Sequence, residues 1–223
     1  MSTLISARNI YREYKVSAGN VCALNGISLE FEEKRFYAIV GRSGSGKSTL
    51  LHILGGLDKP TSGEILIDGE DIGKLGDEKR SAFRRRSMGF VFQQYNLLDE
   101  YNVRNNILMP LSLDRRKPDE EFYREVTATL GLEEKTKKYP SELSGGEQQR
   151  VAIARSVIAK PKLIIADEPT GNLDKKTGEE TITLLLECAK RFGQTVIVAT
   201  HDQGLAELAD EVVRIEDGRI AEK

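Results

Sequence analysis

The chain has few cysteines, no excess of positive charge and no long apolar run. Its two cysteines, Cys22 and Cys188, lack the paired spacing of a zinc site. Two isolated thiols are typical of a reducing compartment, so we expect the cytoplasm rather than a disulfide-stabilised fold. The formal net charge is −2, which argues against binding of nucleic acid through overall electrostatic attraction.

Membrane-targeting features are also lacking. Residues 1–5 do not have the basic and apolar regions of a signal peptide. The longest apolar runs, such as residues 196–199, are much shorter than a membrane span. We therefore expect that, whatever this protein does at a membrane, another chain crosses it.

A glycine-rich loop is present between a predicted buried strand and a predicted amphipathic helix. Residues 41–48 read G-x-x-x-x-G-K-S, a pattern whose successive backbone N–H groups cradle phosphates. Lys47 would contact the β- and γ-phosphates, and the Ser48 hydroxyl would hold Mg²⁺. The pattern predicts a nucleoside triphosphate site. Its candidate residues are Gly41, Arg42, Ser43, Gly44, Ser45, Gly46, Lys47, Ser48 and Thr49.

Two acids follow a second predicted buried strand, residues 163–166. Adjacent carboxylates repel each other unless a cation or a proton intervenes. Beside a triphosphate the cation is Mg²⁺, so we expect Asp167 to help hold it. Glu168 is then placed to accept the proton of the attacking water.

A third stretch, Ser144 to Glu147, opens a predicted helix and has two interpretations. Ser144 and Glu147 fit a capping box, which is a purely structural role. Gly145 and Gly146 disfavour a helix but expose bare N–H groups at its positive end, which would form a second anion site. Two such helix ends in one chain suggest that ATP is shared with a second copy.

Three further residues have open roles at this point. Gln93 follows the predicted strand 88–92, at the sheet edge where α/β proteins contact ligands. His201 follows the predicted strand 195–200 and could donate to the γ-phosphate or be structural. Tyr14 could stack on a base or pack across strands. The basic run 84–86 is interpreted as a solvated face.

Strands that alternate with helices predict an α/β fold with a mainly parallel sheet. With 223 residues, we expect one domain, with an antiparallel β part over about 3–37 and 64–70 and a helical insert over about 95–160. Turns are predicted near residues 19–20 and 25–26. Further strands are predicted at 64–69 and in a terminal hairpin at 211–220, and helices at 77–86, 147–159 and 175–192.

Together these motifs resemble the nucleotide-binding subunit of ATP-binding cassette transporters, over essentially the whole chain. Residues 41–48 resemble Walker A, 163–167 Walker B and 143–147 the signature sequence. The resemblance assigns residues 171–174, which include Asp174, to the D-loop. It assigns Gln93 to the Q-loop that contacts the metal and water, Glu168 to the general base, His201 to the switch histidine and Tyr14 to adenine stacking. Lys34 and Arg35 depart from the Gly-Glu that the family usually has before the Walker A strand.

The resemblance implies a Mg²⁺-dependent ATPase that forms a head-to-tail homodimer over two ATP molecules and drives integral membrane permease subunits from the inner face of the cell membrane. In the dimer, Ser144, Gly145, Gly146 and Asp174 would contact the nucleotide of the other copy. Residues 91–98 and 168–174 resemble the branch for lipoprotein release, macrolide export and antimicrobial-peptide export.

Three alternatives compete with the function that the resemblance implies. A cell-division or signalling ATPase could use the same motifs to move a membrane partner without cargo. DNA-repair and translation ATPases of this superfamily carry a coiled coil or a second cassette, and this sequence has neither. A small-molecule kinase would not need the glycines at 145 and 146.

Overall fold

The computed structural model describes residues 2–17 and 19–221. By their internal contacts these residues divide into two compact units, one from residues 1–81 and 197–223 and the other from residues 82–196. No helix within the described ranges is long and apolar enough to cross a membrane.

The strands, in chain order, are β1 (Thr3–Val16), β2 (Gly19–Glu32), β3 (Phe36–Val40), β4 (Ser62–Ile67), β5 (Glu70–Asp71), β6 (Met88–Phe92), β7 (Leu163–Asp167), β8 (Thr195–Thr200), β9 (Glu211–Glu216) and β10 (Arg219–Ile220).

The helices are α1 (Lys47–Leu54), α2 (Asp77–Ser87), α3 (Val103–Leu113), α4 (Glu120–Thr129), α5 (Gly145–Val157), α6 (Lys175–Phe192) and α7 (Gln203–Glu207). Two short 3₁₀ helices, Glu133–Lys135 and Pro140–Glu142, precede α5. The mixed α/β class with an antiparallel β part, parallel strands and a helical region is confirmed.

The first unit begins with a long hairpin whose strands belong to a four-stranded antiparallel sheet of order β2-β1-β4-β5. Ile5 of β1 lies opposite Phe31 on one side and Ile67 on the other, and all three are buried. The predicted turn at residues 25–26 is wrong because β2 runs through it. Gly26 has φ +76°, which fits a local irregularity of the ladder near Tyr11 rather than a chain reversal.

The same unit holds β3, which is parallel to β9, and β9 pairs in turn with β10. Four of the five β3 residues are buried, as the apolar run 36–40 predicts. Lys34 enters this strand with φ +59°, so it adopts the left-handed conformation that a glycine would adopt more easily. At this turn, Lys34 therefore adopts the kind of conformation that suits the glycine of the family pattern.

The second unit contains a parallel pair, β6 and β7, in which Phe92 lies opposite Asp167. Helix α5 packs against β6, α3 and α6. Phe122 of α4 and Phe192 of α6 meet edge to face with ring centroids 4.9 Å apart. Helix α6 ends at Gly193 with φ +67°, the left-handed cap that the sequence predicts.

Candidate nucleotide site

The phosphate loop leads from β3 into α1, as predicted. Gly46 is the N-cap of α1 with φ +106°, and neither a side-chain cap nor an acid occupies the first turn. With no cap from the N-cap residue and no acid in the first turn, the helix dipole favours an anion at this end. This geometry suits a phosphate group.

Two glycines of the loop are required by close backbone approaches. A Cβ on Gly41 would overlap the carbonyl oxygen of Ile215, and one on Gly46 would lie 2.6 Å from the carbonyl oxygen of Ala23. A backbone carbonyl group that is held in a strand cannot move away from such an overlap, whereas the end of a flexible side chain can. The loop conformation thus depends on its neighbours β2 and β9 as well as on its own sequence.

Lys47 is buried, with 7% of its surface exposed. Its ammonium group donates to the carbonyl oxygens of Gly41 at 2.9 Å and Arg42 at 3.1 Å. The charge is therefore held at the mouth of the loop, where a triphosphate can replace the two carbonyl acceptors. Ser45 Oγ in the same loop is buried and has no hydrogen-bond partner among the described residues, so the loop also holds an unused polar group.

Tyr14 lies in a small polar cluster of the first unit. Its hydroxyl donates to Asp58 at 2.8 Å, and the Arg12 guanidinium lies 4.3 Å from the ring centroid. Arg12 also pairs with Asp58 at 2.9 Å. Because the guanidinium occupies one face of the ring, an adenine would stack on the other face or displace Arg12.

His201 and the start of the phosphate loop line one cleft in the first unit. The cleft has a volume of about 770 Å³, and its walls include Gly41, Arg42, His201 and Glu207. His201 is exposed at the end of β8. The next residue, Asp202, caps α7 by accepting from the N–H groups of Gly204 and Leu205. The sequence did not predict α7, whose only signal is this cap, because five residues carry no periodic pattern.

In the second unit, Asp167 ends β7 and Glu168 follows it, both half-buried. Glu168 has φ +46°, a conformation that a non-glycine residue adopts at some energetic cost. The Gln149 side chain of α5 donates to the carbonyl of Pro169 and, at 3.4 Å, to that of Phe92. The chain after Walker B is thus tied to α5.

Gln93 and the D-loop lie together in the second unit. The Gln93 amide donates to Asn172 Oδ1 at 3.1 Å, and Asn172 Nδ2 donates to the Gln93 carbonyl at 2.9 Å. A Cβ on Gly171 would lie 2.7 Å from Gln93 Nε2, which explains that glycine. The sequence identified both Gln93 and the D-loop, but nothing in the order of residues shows that the two segments meet.

The N-terminus of α5 carries a complete capping box, as predicted. Ser144 Oγ accepts from the Glu147 N–H at 3.3 Å, and the Glu147 carboxylate accepts from the Ser144 N–H at 2.8 Å. Lys135 pairs with the same carboxylate at 2.8 Å. The hydrogen bond from Lys135 is the largest of the effects that lower the pKa of Glu147 to about 2.

The two glycines of α5 also have packing roles. A Cβ on Gly146 would lie 2.5 Å from the Thr177 methyl group of α6, and one on Gly145 would lie 2.9 Å from the Tyr95 hydroxyl. These glycines therefore also allow close packing between elements, in addition to the exposed amides that the sequence suggested. Asp174 caps α6 by accepting from the Thr177 N–H at 3.1 Å, and the hydrogen bond to Thr177 lowers the pKa of Asp174.

Arg155 was not identified from the sequence. It lies on α5 with 8% of its surface exposed, and its guanidinium donates to the carbonyls of Tyr95 and Asn96 at 2.6 and 2.5 Å. Both acceptors have positive φ. Burial lowers the pKa of Arg155 to about 10, so it stays charged at neutral pH and fixes the segment after Gln93 to α5.

Known proteins share this arrangement along the whole chain. A family model described as ABC transporter matches residues 24–171. The lipoprotein-releasing system ATP-binding protein LolD of Geobacter metallireducens is 44% identical over 99% of both chains. The macrolide export ATP-binding/permease protein MacB of Syntrophobacter fumaroxidans is 45% identical over 97% of this chain and 31% of its own length.

A solved structure agrees with these matches. The dimeric ATP-binding cassette MJ0796 in a post-hydrolysis state bound to ADP and Pi has a TM-score of 0.88 and 39% identity, and the match covers 98% of this chain and 97% of that one. The chain belongs to the ABC transporter family and carries the ATPase domain of that family. The family that the motifs resemble is therefore confirmed.

Proposed function

We propose that the chain is the ATP-hydrolysing subunit of an export or extraction system of the lipoprotein, macrolide or antimicrobial-peptide type. The observation that carries the proposal is the uncapped N-terminus of α1, with buried Lys47 held beside it. The names of the relatives, lipoprotein release and macrolide export, support the branch. We further propose that residues 1–223 act as one ATPase domain.

The phosphate loop binds the triphosphate of the chain's own nucleotide. Lys47 turns from its carbonyl acceptors to the β- and γ-phosphates, and the amides of residues 44–49 surround them. Tyr14 stacks on the adenine through the ring face that Arg12 does not occupy. This role costs the chain little rearrangement, because the helix end and the loop are already formed.

Ser48, Gln93 and Asp167 would hold Mg²⁺ through oxygen atoms, which are the donors that Mg²⁺ prefers. The described residues contain no cluster of three or more His, Cys, Asp or Glu side chains that could hold a metal. This donor set suits an ion held jointly by two or three side chains, water and phosphates rather than by a protein cage. Mg²⁺ bound there would neutralise phosphate charge.

Glu168 accepts the proton of the attacking water, and His201 donates to the γ-phosphate as negative charge develops there. Gln93 helps to orient the water, and its two hydrogen bonds to Asn172 support that orientation. Most of the rate enhancement would come from positioning and charge stabilisation, as is usual for phosphoryl transfer.

A second copy completes the site. Ser144, Gly145, Gly146 and Asp174 of one copy approach the nucleotide bound to the phosphate loop of the other. The dimeric form of the similar cassette supports this arrangement. ATP then joins two copies, and hydrolysis releases them.

Membrane permease subunits receive this movement at the inner face of the membrane, where the chain is a peripheral cytoplasmic subunit. Leu98 and Tyr101 present exposed apolar surface, 40% and 44% respectively, close after Gln93 and next to the Tyr95–Asn96 segment that Arg155 fixes to α5. A partner that contacts this surface would act on Gln93 and α5 together.

The test uses Glu168→Gln, which keeps shape and hydrogen bonding but cannot take a proton from water. This variant should accumulate as a dimer with ATP and Mg²⁺ in size-exclusion chromatography, while the unmodified protein stays mostly monomeric. Adding Gly145→Asp should abolish the dimer because a carboxylate repels the γ-phosphate.

Since a side chain at position 145 also meets the Tyr95 hydroxyl, the Gly145→Asp variant is repeated in a Tyr95→Phe background and its thermal melting is measured. A folded variant that carries Glu168→Gln and Gly145→Asp, with or without Tyr95→Phe, and still dimerises with ATP would show that Ser144 to Glu147 is only a helix cap.

A further inference from the structure

An acid occupies the helix end that is proposed to receive a phosphate. The Glu147 carboxylate lies in the first turn of α5 and accepts from the Ser144 N–H at 2.8 Å. A carboxylate at this place stabilises the helix because it complements the positive end of the dipole. The same charge opposes the approach of a second anion. The Glu147 carboxylate and the proposed phosphate therefore compete for the same positive end of the α5 dipole.

Lys135 lies where it relieves this conflict. Its ammonium is 2.8 Å from Glu147 Oε1, and the two side chains are 32% and 19% exposed. Its other charged neighbours are Glu134 and Lys138. With Lys135 present, the Lys135–Glu147 pair has no net charge, so the amides of α5 keep their attraction for an anion.

The backbone holds Lys135 in place independently of α5. It ends the 3₁₀ helix Glu133–Lys135, and its N–H donates to the Leu132 carbonyl at 2.9 Å. The next residues are fixed to the start of α3, because the Val103 N–H donates to the Lys138 carbonyl at 2.8 Å and the Arg104 N–H to the Thr136 carbonyl at 3.0 Å. Backbone hydrogen bonds thus fix the segment that carries Lys135, and this places the ammonium next to Glu147.

We propose that Lys135 is a positioning residue that neutralises Glu147 and so keeps the N-terminus of α5 receptive to the γ-phosphate bound by a second copy. This inference rests on the proposed function, in which Ser144 and Gly145 contact that phosphate. It assigns to Lys135 no contact with the nucleotide itself. Even the ordinary pKa of 4.5, from which Lys135 and the cap lower the pKa of Glu147, lies well below neutral pH, so protonation of Glu147 cannot replace Lys135 there.

The experiment measures the ATP concentration at which half of the Glu168→Gln protein is dimeric. Adding Lys135→Ala should raise this concentration about tenfold, since an uncompensated charge a few ångströms from a phosphate is worth that order of free energy. Higher salt should shrink the difference because exposed charges are screened. Lys135→Arg, which keeps the charge, should behave like the parent.

Rescue by a neutral cap separates this role from a structural one. Glu147→Gln can still accept from the Ser144 N–H but carries no charge, so Lys135→Ala with Glu147→Gln should dimerise at an ATP concentration close to that of the parent. Lys137→Ala, which removes an exposed charge from the same segment, is the matched control and should change nothing. Thermal melting of each variant shows that it is folded.

Two failures can be told apart. If the Glu168→Gln parent forms no dimer with ATP, the proposed function is wrong and this inference is wrong with it. If the parent dimerises but Lys135→Ala dimerises equally well, or if Glu147→Gln does not rescue Lys135→Ala, the inference alone is overturned.

Discussion

The N-termini of α1 and α5 both suit an anion but are built in opposite ways. Helix α1 begins at a glycine in the left-handed region, with no side-chain cap and no acid in its first turn. Helix α5 begins at Ser144 with a complete capping box that includes Glu147. The N-terminus of α1 therefore has no side-chain cap, whereas at the N-terminus of α5 the Ser144 and Glu147 side chains accept hydrogen bonds from backbone N–H groups.

The difference suits two kinds of contact. An uncapped end gains most from a bound phosphate, which fits the site proposed for the chain's own nucleotide. A capped end is stable without ligand, because such a cap contributes about 1 kcal/mol. That construction fits a surface that is exposed whenever two copies separate, and that meets a phosphate only when they close.

The largest effect should come from removing the charge at the uncapped end. Lys47→Ala should lower ATP affinity roughly a hundredfold, since hydrogen bonds to charged groups are individually worth about 1.5–3 kcal/mol. Calorimetric titration of the folded variant measures this. Lys135→Ala, at the capped end, is the control and should leave the affinity of the isolated chain unchanged. Equal losses in both variants would mean that the two ends are not distinct.

The two helix ends should also differ in whether a second substitution can restore the stability that is lost when a glycine is replaced. Gly46→Ala combines φ +106° with a backbone contact, so it should cost about 1–3 kcal/mol of unfolding free energy. Gly146→Ala meets only the Thr177 methyl group, so it should cost less, and Thr177→Ser should restore most of the loss. Urea unfolding measures both. A Gly146→Ala defect that Thr177→Ser does not reduce would contradict the packing role of this glycine.

The smallest effect concerns the pH dependence of the cap. The pKa of Glu147 is lowered from 4.5 to about 2 in the folded chain, so its contribution to stability is complete above the unfolded pKa and is lost as pH falls from 4.5 towards 2. The stability difference between the unmodified protein and Glu147→Gln should therefore shrink over this range. Urea unfolding at pH 7, 4.5 and 3 tests it, and a constant difference would disprove it.

Several elements could be predicted because their signals are local. The apolar run of β3, the glycine loop and the leucines of α1 stand next to one another in the chain, so the phosphate loop was evident before its geometry was known. The turn predicted at Asn25-Gly26 is wrong, although this pair favours a tight turn in isolation. In the protein, continued pairing of β2 with β1 outweighs that preference.

Residue order and chemistry by themselves determined which segments carry charge and amides suited to phosphate: Gly41 to Ser48, Ser144 to Glu147, and the acids Asp167 and Glu168 at the end of β7. Such properties depend on neighbours within a few residues. Only the tertiary structure decided that Arg155 is buried against Tyr95 and Asn96, that Asn172 pairs with Gln93 and that Lys135 reaches Glu147. Those partners lie from 12 to 79 positions apart, and only the packing of α5 and its neighbours brings them within hydrogen-bonding distance.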